Sequence, residues 1–120
     1  MVRILMVVGL LCGLLRPAAA AEVTVRYFRN FTGHDLPIKL REEISEAEAK
    51  TYVKALLVAR YDGRGRLIEV TKLIKGKEMF VHHYEYDASG RLKMATVRNA
   101  DGDVSVVEFD EKGKGGRTKK

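Results

Sequence analysis

The chain has 120 residues, which is enough for one small domain, and carries a formal net charge of +6. Its single cysteine, Cys12, lies in the N-terminal apolar segment. If that segment is removed, the remaining chain has no disulfide, no catalytic thiol and no thiolate metal ligand.

The N-terminal segment has the order of a secretory signal peptide. Arg3 precedes an uncharged apolar run over residues 4–15, and small residues follow at 18–21. The alternative is a membrane anchor, which needs roughly 20 apolar residues. We therefore predict a cleaved signal over residues 1–21, export to the periplasm or the medium, and no transmembrane span in the mature chain.

The basic charge is concentrated at the C-terminus. Residues 22–111 hold 15 basic and 16 acidic side chains, whereas residues 112–120 hold five basic side chains, three glycines and no apolar residue. Such a segment buries too little surface to offset its ordering entropy, so a disordered basic tail is predicted. Its candidate anion-binding residues are Lys112, Lys114, Arg117, Lys119 and Lys120.

The N-terminal part of the predicted domain contains one strand, one loop and one helix. Residues 22–31 alternate apolar and polar side chains, which predicts a strand. Residues 32–40 contain glycine, aspartate and proline and are predicted to be a loop. Ser45 and Glu48 form a capping box, so a short helix is expected from Glu46 to about residue 51.

The rest of the chain is punctuated by turns. Segments 62–65, 87–90, 99–102 and 110–113 all read Asp or Asn, two residues, then Gly. This pattern favours a type I turn followed by a glycine bulge, a common hairpin connection. Antiparallel strands are predicted near 52–61, 66–73, 78–86, 91–98 and 103–109.

The predicted fold class is therefore α+β, mostly β. A short N-terminal strand and one short helix precede a five-stranded antiparallel β-meander, in a single domain over residues 22–111. Counting outward from the turns predicts the cross-strand pairs Tyr86–Leu92, Tyr84–Met94, Glu85–Lys93, Tyr61–Leu67, Val58–Val70, Thr96–Val106 and Val97–Ser105.

Two turn segments share a longer motif. One reads Tyr84-x-Tyr86-Asp87-x-x-Gly90-Arg91-Leu92, the second reads Tyr61-Asp62-x-x-Gly65-Arg66-Leu67, and Phe109-Asp110-x-x-Gly113-Lys114 is a degenerate third copy. Over residues 58–114 the chain resembles the YD repeat of Rhs-type secreted and surface proteins. The resemblance implies β-hairpins. Long arrays in that family form β-shells, some linked to carbohydrate binding or toxin encapsulation, but two and a half copies cannot form a shell. The resemblance implies no catalytic residue in this chain.

The sequence offers little catalytic chemistry. His82 and His83 are adjacent on a strand and point to opposite faces, so they cannot chelate one ion. The chain has three serines and no nucleophile-elbow motif, and no glycine loop precedes a helix as a phosphate site requires. We predict no catalytic residue, metal ligand or cofactor. A small secreted hydrolase using His34 or carboxylate chemistry stays as an alternative.

Two sets of residues are candidates for binding. Phe80, His82, Tyr84 and Tyr86 share one face of a strand and form either an exposed aromatic platform or the core face of the sheet. Arg66 and Arg91 recur just after the turns, although the predicted register does not require them.

The predicted function is therefore a small exported, non-enzymatic binding module built from YD-like hairpins. Its expected partner is a protein or polysaccharide of the envelope. The alternative is an anion-binding protein that acts on an anionic surface through its tail.

Overall fold

The computed structural model describes residues 22–52, 54–110, 113 and 115–119. The predicted signal peptide and the tail residues Lys112, Lys114 and Lys120 lie outside the described residues. The described part contains eight strands and one helix, whose bounds are β1 Thr24–Thr32, β2 Lys39–Ile44, α1 Glu46–Thr51, β3 Ala55–Tyr61, β4 Leu67–Ile74, β5 Lys77–Tyr86, β6 Leu92–Asn99, β7 Val104–Phe109 and β8 Gly115–Lys119.

All eight strands form one antiparallel sheet. Their order is β2-β1-β3-β4-β5-β6-β7-β8, so the strands after α1 follow the chain and β1 is inserted between β2 and β3. The predicted mostly β, antiparallel architecture with one short helix is confirmed. The five strands expected after the helix are present as β3 to β7, but the sheet has three further strands.

The N-terminal part differs from the prediction in its second strand. Residues 39–44 pair with β1 as β2, although the predicted loop extended to residue 40. The charged sequence KLREEI does not alternate, because most of β2 is exposed and buries no complete face. β1 belongs to the sheet itself, since Phe28 pairs with Leu57 of β3 and both side chains are buried.

The C-terminal part also differs. Residues 115–119 pair with β7 as β8, although a disordered tail was predicted. Backbone pairing requires no apolar side chain, and glycine permits it here. A Cβ at Gly115 would lie 2.9 Å from Cγ1 of Val107 and 3.0 Å from Cε2 of Phe109. The glycines that indicated disorder therefore allow the close approach of β8.

The turns have the predicted chemistry. The Asp62 N–H donates to the Arg66 carbonyl at 2.9 Å, and the Gly65 N–H donates to the Asp62 carbonyl at 2.9 Å. Gly65 has a φ of 80°, which only glycine adopts without strain. The turns at 87–90 and 99–102 repeat both hydrogen bonds, as a type I turn with a glycine bulge does.

The predicted register holds along the β6–β7 hairpin, but in the β3–β4 and β5–β6 hairpins it holds only for the pair next to the turn. The pairs Tyr86–Leu92, Tyr61–Leu67, Thr96–Val106 and Val97–Ser105 are confirmed. The other three predicted pairs are wrong, since the observed pairs are Tyr84–Ala95, Glu85–Met94 and Val58–Thr71. Ile68 in β4 and Lys93 in β6 are extra residues that form β-bulges and shift the pairing by one.

The main core lies on one face of the sheet, below the loop of residues 33–38 that joins β1 and β2. Leu57 and Val70 are its most deeply buried side chains, and Ile38 from the loop is 6% exposed. The core cluster comprises Phe28, Ile38, Leu57, Ala59, Leu67, Val70, Tyr84, Ala95 and Val107. The predicted helix start is confirmed, because the Ser45 side chain accepts from the Glu48 N–H at 3.1 Å.

Truncating the core should be costly. Leu57→Ala should lower the free energy of unfolding by about 2 to 5 kcal/mol, because Leu57 is 1% exposed and its removal leaves a cavity. Val23→Ala is the control and should change it by less than about 0.5 kcal/mol, because Val23 is 45% exposed. Urea unfolding measures both values, and equal losses would contradict the assigned core.

Candidate functional site

The two complete repeat motifs bring their turns to the same end of the sheet. The β3–β4 turn at 62–65 and the β5–β6 turn at 87–90 are two strands apart in an antiparallel sheet. Both turns therefore project from the same end of the strands. β1 also begins there, because Thr24 pairs with Tyr61. We name this end of the sheet the turn edge.

The first turn is built around the carboxylate of Asp62. Its Oδ1 accepts the backbone N–H groups of Arg64 and Arg66, each at 2.9 Å, and its Oδ2 accepts from Arg66 Nε at 2.8 Å. Burial raises the pKa of Asp62, but the hydrogen bonds from Arg66 and Arg64 outweigh it and lower the pKa overall. The arginine that the predicted register left unexplained therefore neutralises the turn carboxylate.

The second turn repeats the arrangement with a different side-chain link. Asp87 Oδ1 accepts the N–H groups of Ser89 and Arg91 at 2.9 and 3.0 Å and the Ser89 hydroxyl at 2.6 Å. Arg91 Nε donates to Ser89 Oγ at 3.2 Å and lies 4.0 Å from Asp87 Oδ2. The hydrogen bond from the Ser89 side chain, followed by that from the Arg91 backbone, lowers the pKa of Asp87.

Tyr86 joins the two hairpins. Its hydroxyl donates to the Leu67 carbonyl at 2.6 Å, and the Arg66 guanidinium lies over its ring, 5.1 Å from the centroid. On the other side of the first turn, the Arg26 guanidinium lies 5.7 Å from the Tyr61 ring centroid. Each tyrosine that precedes a complete repeat turn therefore has an arginine over its ring.

Two clefts flank the first turn. The inner cleft, between the two turns, has a volume of about 260 Å³ and is lined by Asp62, Gly63, Arg64, Arg66, Tyr86, Asp87 and Ala88. The outer cleft, toward β1, also has about 260 Å³ and is lined by Glu22, Thr24, Arg26, Tyr61, Asp62, Gly63 and Gly65. Each cleft thus combines a tyrosine ring, a guanidinium group and the Asp62 carboxylate.

The predicted aromatic stripe belongs mostly to the core. Tyr84 is 3% exposed and His82 is 8% exposed, while Phe80 and Tyr86 are half-buried. The structure therefore does not bring the four rings together as an exposed platform, because the 33–38 loop lies over this face. The sequence did not indicate that the 33–38 loop lies over the aromatic side chains. Of the four side chains, Tyr86 lines the inner cleft.

A buried hydrogen-bond network holds the loop to the stripe. The Ile38 N–H donates to the Tyr84 hydroxyl at 3.2 Å, and the same hydroxyl lies 2.7 Å from His82 Nδ1. Burial, with the nearby His83, lowers the pKa of His82 to about 4, and burial raises the pKa of Tyr84 to about 12. A Tyr84 hydroxyl that donates to neutral His82 and accepts from Ile38 satisfies all three groups.

A polar row on the opposite face was not predicted. Arg60, Glu69 and His83 occupy paired positions on β3, β4 and β5. Arg60 Nε lies 2.9 Å from Glu69 Oε1, and His83 Nδ1 lies 3.5 Å from Glu69 Oε2. A groove of about 540 Å³ runs beside them. The bulge at Ile68 places Arg60 opposite Glu69. The amino-acid composition of a strand does not indicate where such a bulge occurs, so the row could not be predicted.

The other residues considered for chemistry have structural surroundings. The Ser45 hydroxyl caps α1 and the Ser89 hydroxyl donates to Asp87, while His34 lies in the exposed part of the 33–38 loop. Over residues 22–52, 54–110, 113 and 115–119, no three His, Cys, Asp or Glu side chains converge in a way that could hold a metal ion.

These features define a single-sheet β-hairpin protein with paired clefts along one edge. The chain belongs to a family of unknown function, DUF6156, whose model matches residues 20–118. No curated protein and no solved structure matches the chain. In the part of the chain that the structure describes, no helix has the length and apolar character needed to cross a membrane.

The His82 network predicts acid sensitivity. Because the pKa of His82 is lowered from 6.5 to about 4 by folding, the unfolded chain binds more protons between these values. The free energy of unfolding is therefore unaffected by the titration of His82 above pH 6.5. It falls as the pH is lowered from 6.5 to 4, by about 3 kcal/mol in total. His82→Gln should remove this part of the pH dependence of unfolding measured in urea. His83→Gln should retain it, and the same pH dependence in the His82 variant would contradict the assignment.

The turn carboxylate predicts a graded series. Asp62→Ala should lower the free energy of unfolding by about 1 to 3 kcal/mol, because two backbone N–H groups and the Arg66 guanidinium lose their acceptor. Asp62→Asn should cost less, because an amide oxygen can accept both N–H groups, as Asn99 Oδ1 does from Asp101 and Asp103. Thermal unfolding of both variants checks the order, which a reversed ranking would contradict.

Proposed function

We propose that this protein is a small exported, non-enzymatic binding module built from YD-like hairpins, and that it binds its partner along the turn edge. The observation that carries the proposal is the pair of clefts of similar composition on either side of the turn at 62–65. A repeated arrangement of ring, guanidinium and carboxylate suits a partner that presents the same chemistry more than once.

The partner class is a protein or polysaccharide of the envelope. The predicted signal peptide would deliver the chain to that compartment. Tyr61 and Tyr86 end strands that are two positions apart in the sheet, so the clefts recur at about 10 Å. An extended polymer can engage both clefts at once, with its rings or apolar groups against tyrosine and its polar groups against arginine and aspartate.

The side chains of the clefts are held in place before any partner binds. The Arg66 side chain is hydrogen-bonded to Asp62 and lies over the Tyr86 ring. The Tyr86 hydroxyl donates a hydrogen bond to a carbonyl of β4. Groups that are already ordered lose little further entropy on binding, which favours affinity.

A charge reversal in the inner cleft tests the proposal. Arg64→Glu reverses the charge of one side chain of the cleft and keeps the turn, because Arg64 donates to Asp62 through its backbone N–H. Lys77→Glu, an exposed site at the opposite end of the sheet, is the control with the same charge change. The measurement is binding of the purified protein to isolated envelope polysaccharide and to envelope proteins by titration.

We expect Arg64→Glu to weaken binding about tenfold and Lys77→Glu to leave it within about twofold. Circular dichroism of both variants checks that they are folded. Equal binding by the three proteins would contradict the turn edge as the binding surface.

A further inference from the structure

The sheet ends in two strands of very different character. At one end, β2 carries two basic and two acidic side chains, and α1 begins two residues after it. Glu42 within it has a φ of 60°, a left-handed conformation that interrupts the extended backbone. Charge and an irregular backbone are the usual devices that keep an edge strand from pairing with another chain.

At the other end, β8 has a regular backbone and charge of one sign, because it contains Arg117 and Lys119 and no acidic residue. Such charge disfavours a like-charged strand but not an acidic one. β8 pairs with β7 at five consecutive positions, from Phe109–Gly115 to Ser105–Lys119, without a register shift. Gly115 and Gly116 are exposed and carry no side chain that would hinder an approaching strand. Among the described residues no strand pairs with the second side of β8, so its outward backbone groups form a regular template for pairing.

In the sequence, the basic residues of the C-terminal segment are not balanced by acidic ones. Residues 112–120 contain five basic residues and no acidic one, whereas residues 22–111 carry a net charge of −1. β-Strand addition obtains affinity from main-chain hydrogen bonds and specificity from the side chains of the added segment. The basic residues of β8 therefore favour an added segment that carries negative charge.

We propose that the β8 edge binds an extended acidic peptide segment of another protein as a ninth strand of the sheet. A second copy of β8 is disfavoured, because antiparallel pairing of two such strands would bring two basic segments together. Nucleic acid is also disfavoured, because residues 112–120 contain no aromatic side chain for base stacking.

The test uses a labelled peptide of alternating glutamate and valine and the purified full chain. Fluorescence anisotropy should show saturable binding, and the backbone amides of Gly115, Arg117 and Lys119 should gain protection from hydrogen exchange. A peptide of the same sequence, N-methylated at alternate residues, keeps the charge but cannot pair as a strand. It should bind at least about tenfold more weakly.

Charge variants place the binding at this edge. Arg117→Glu with Lys119→Glu should weaken binding about tenfold or more, whereas Lys39→Glu with Arg41→Glu on β2 should leave it within about twofold. Equal binding of the two peptides would overturn the proposal in favour of charge attraction alone. Peptide-independent dimerisation that protects the same amides, or tighter binding to anionic vesicles or single-stranded nucleic acid than to the peptide, would also overturn it.

Discussion

The contact between Tyr86 and the preceding hairpin connects the two repeat motifs of this sheet. The Tyr86 hydroxyl is bonded to the Leu67 carbonyl, and its ring lies under the Arg66 guanidinium that Asp62 holds. The first repeat thus contributes a turn carboxylate and an arginine, and the second repeat contributes the tyrosine that packs against the arginine. Arg66 and Tyr86, which this contact holds together, both line the inner cleft.

The two faces of the sheet and its outer strand β8 differ from the turn edge in their chemistry. One face of the sheet is closed by the 33–38 loop, which the Tyr84 hydroxyl binds through the Ile38 N–H. The opposite face carries the row of Arg60, Glu69 and His83, whose side chains already contact one another. The turn edge combines exposed polar groups with half-buried rings, and β8 offers backbone groups instead of side chains. The two proposals therefore concern different surfaces and different chemistry.

The turns and the strands beside them could be predicted because their determinants are local. An Asp or Asn side chain that accepts two N–H groups and a glycine at positive φ lie within five residues of one another. The Ser45 cap is local for the same reason. The bulges at Ile68 and Lys93 could not be predicted, because an extra residue in a strand changes the pairing and leaves no mark in composition.

Other features depend on contacts that are distant in the chain. Burial of His82 and Tyr84 requires the 33–38 loop, more than 40 residues earlier, to lie over β5. The strand character of residues 115–119 requires β7 as a template, and the glycines that allow it also indicate disorder when read alone. The recurrence of Arg66 and Arg91 was visible in the sequence, but its reason became clear from the turn geometry.

The most direct test of this account is a double-mutant cycle between Arg66 and Tyr86, measured by urea unfolding of Arg66→Met, Tyr86→Leu and the double variant. If the contact joins the hairpins, the two losses of unfolding free energy should be non-additive, with a coupling of about 0.5 to 2 kcal/mol. Additivity within about 0.3 kcal/mol would show that the hairpins do not depend on this contact and would contradict the account.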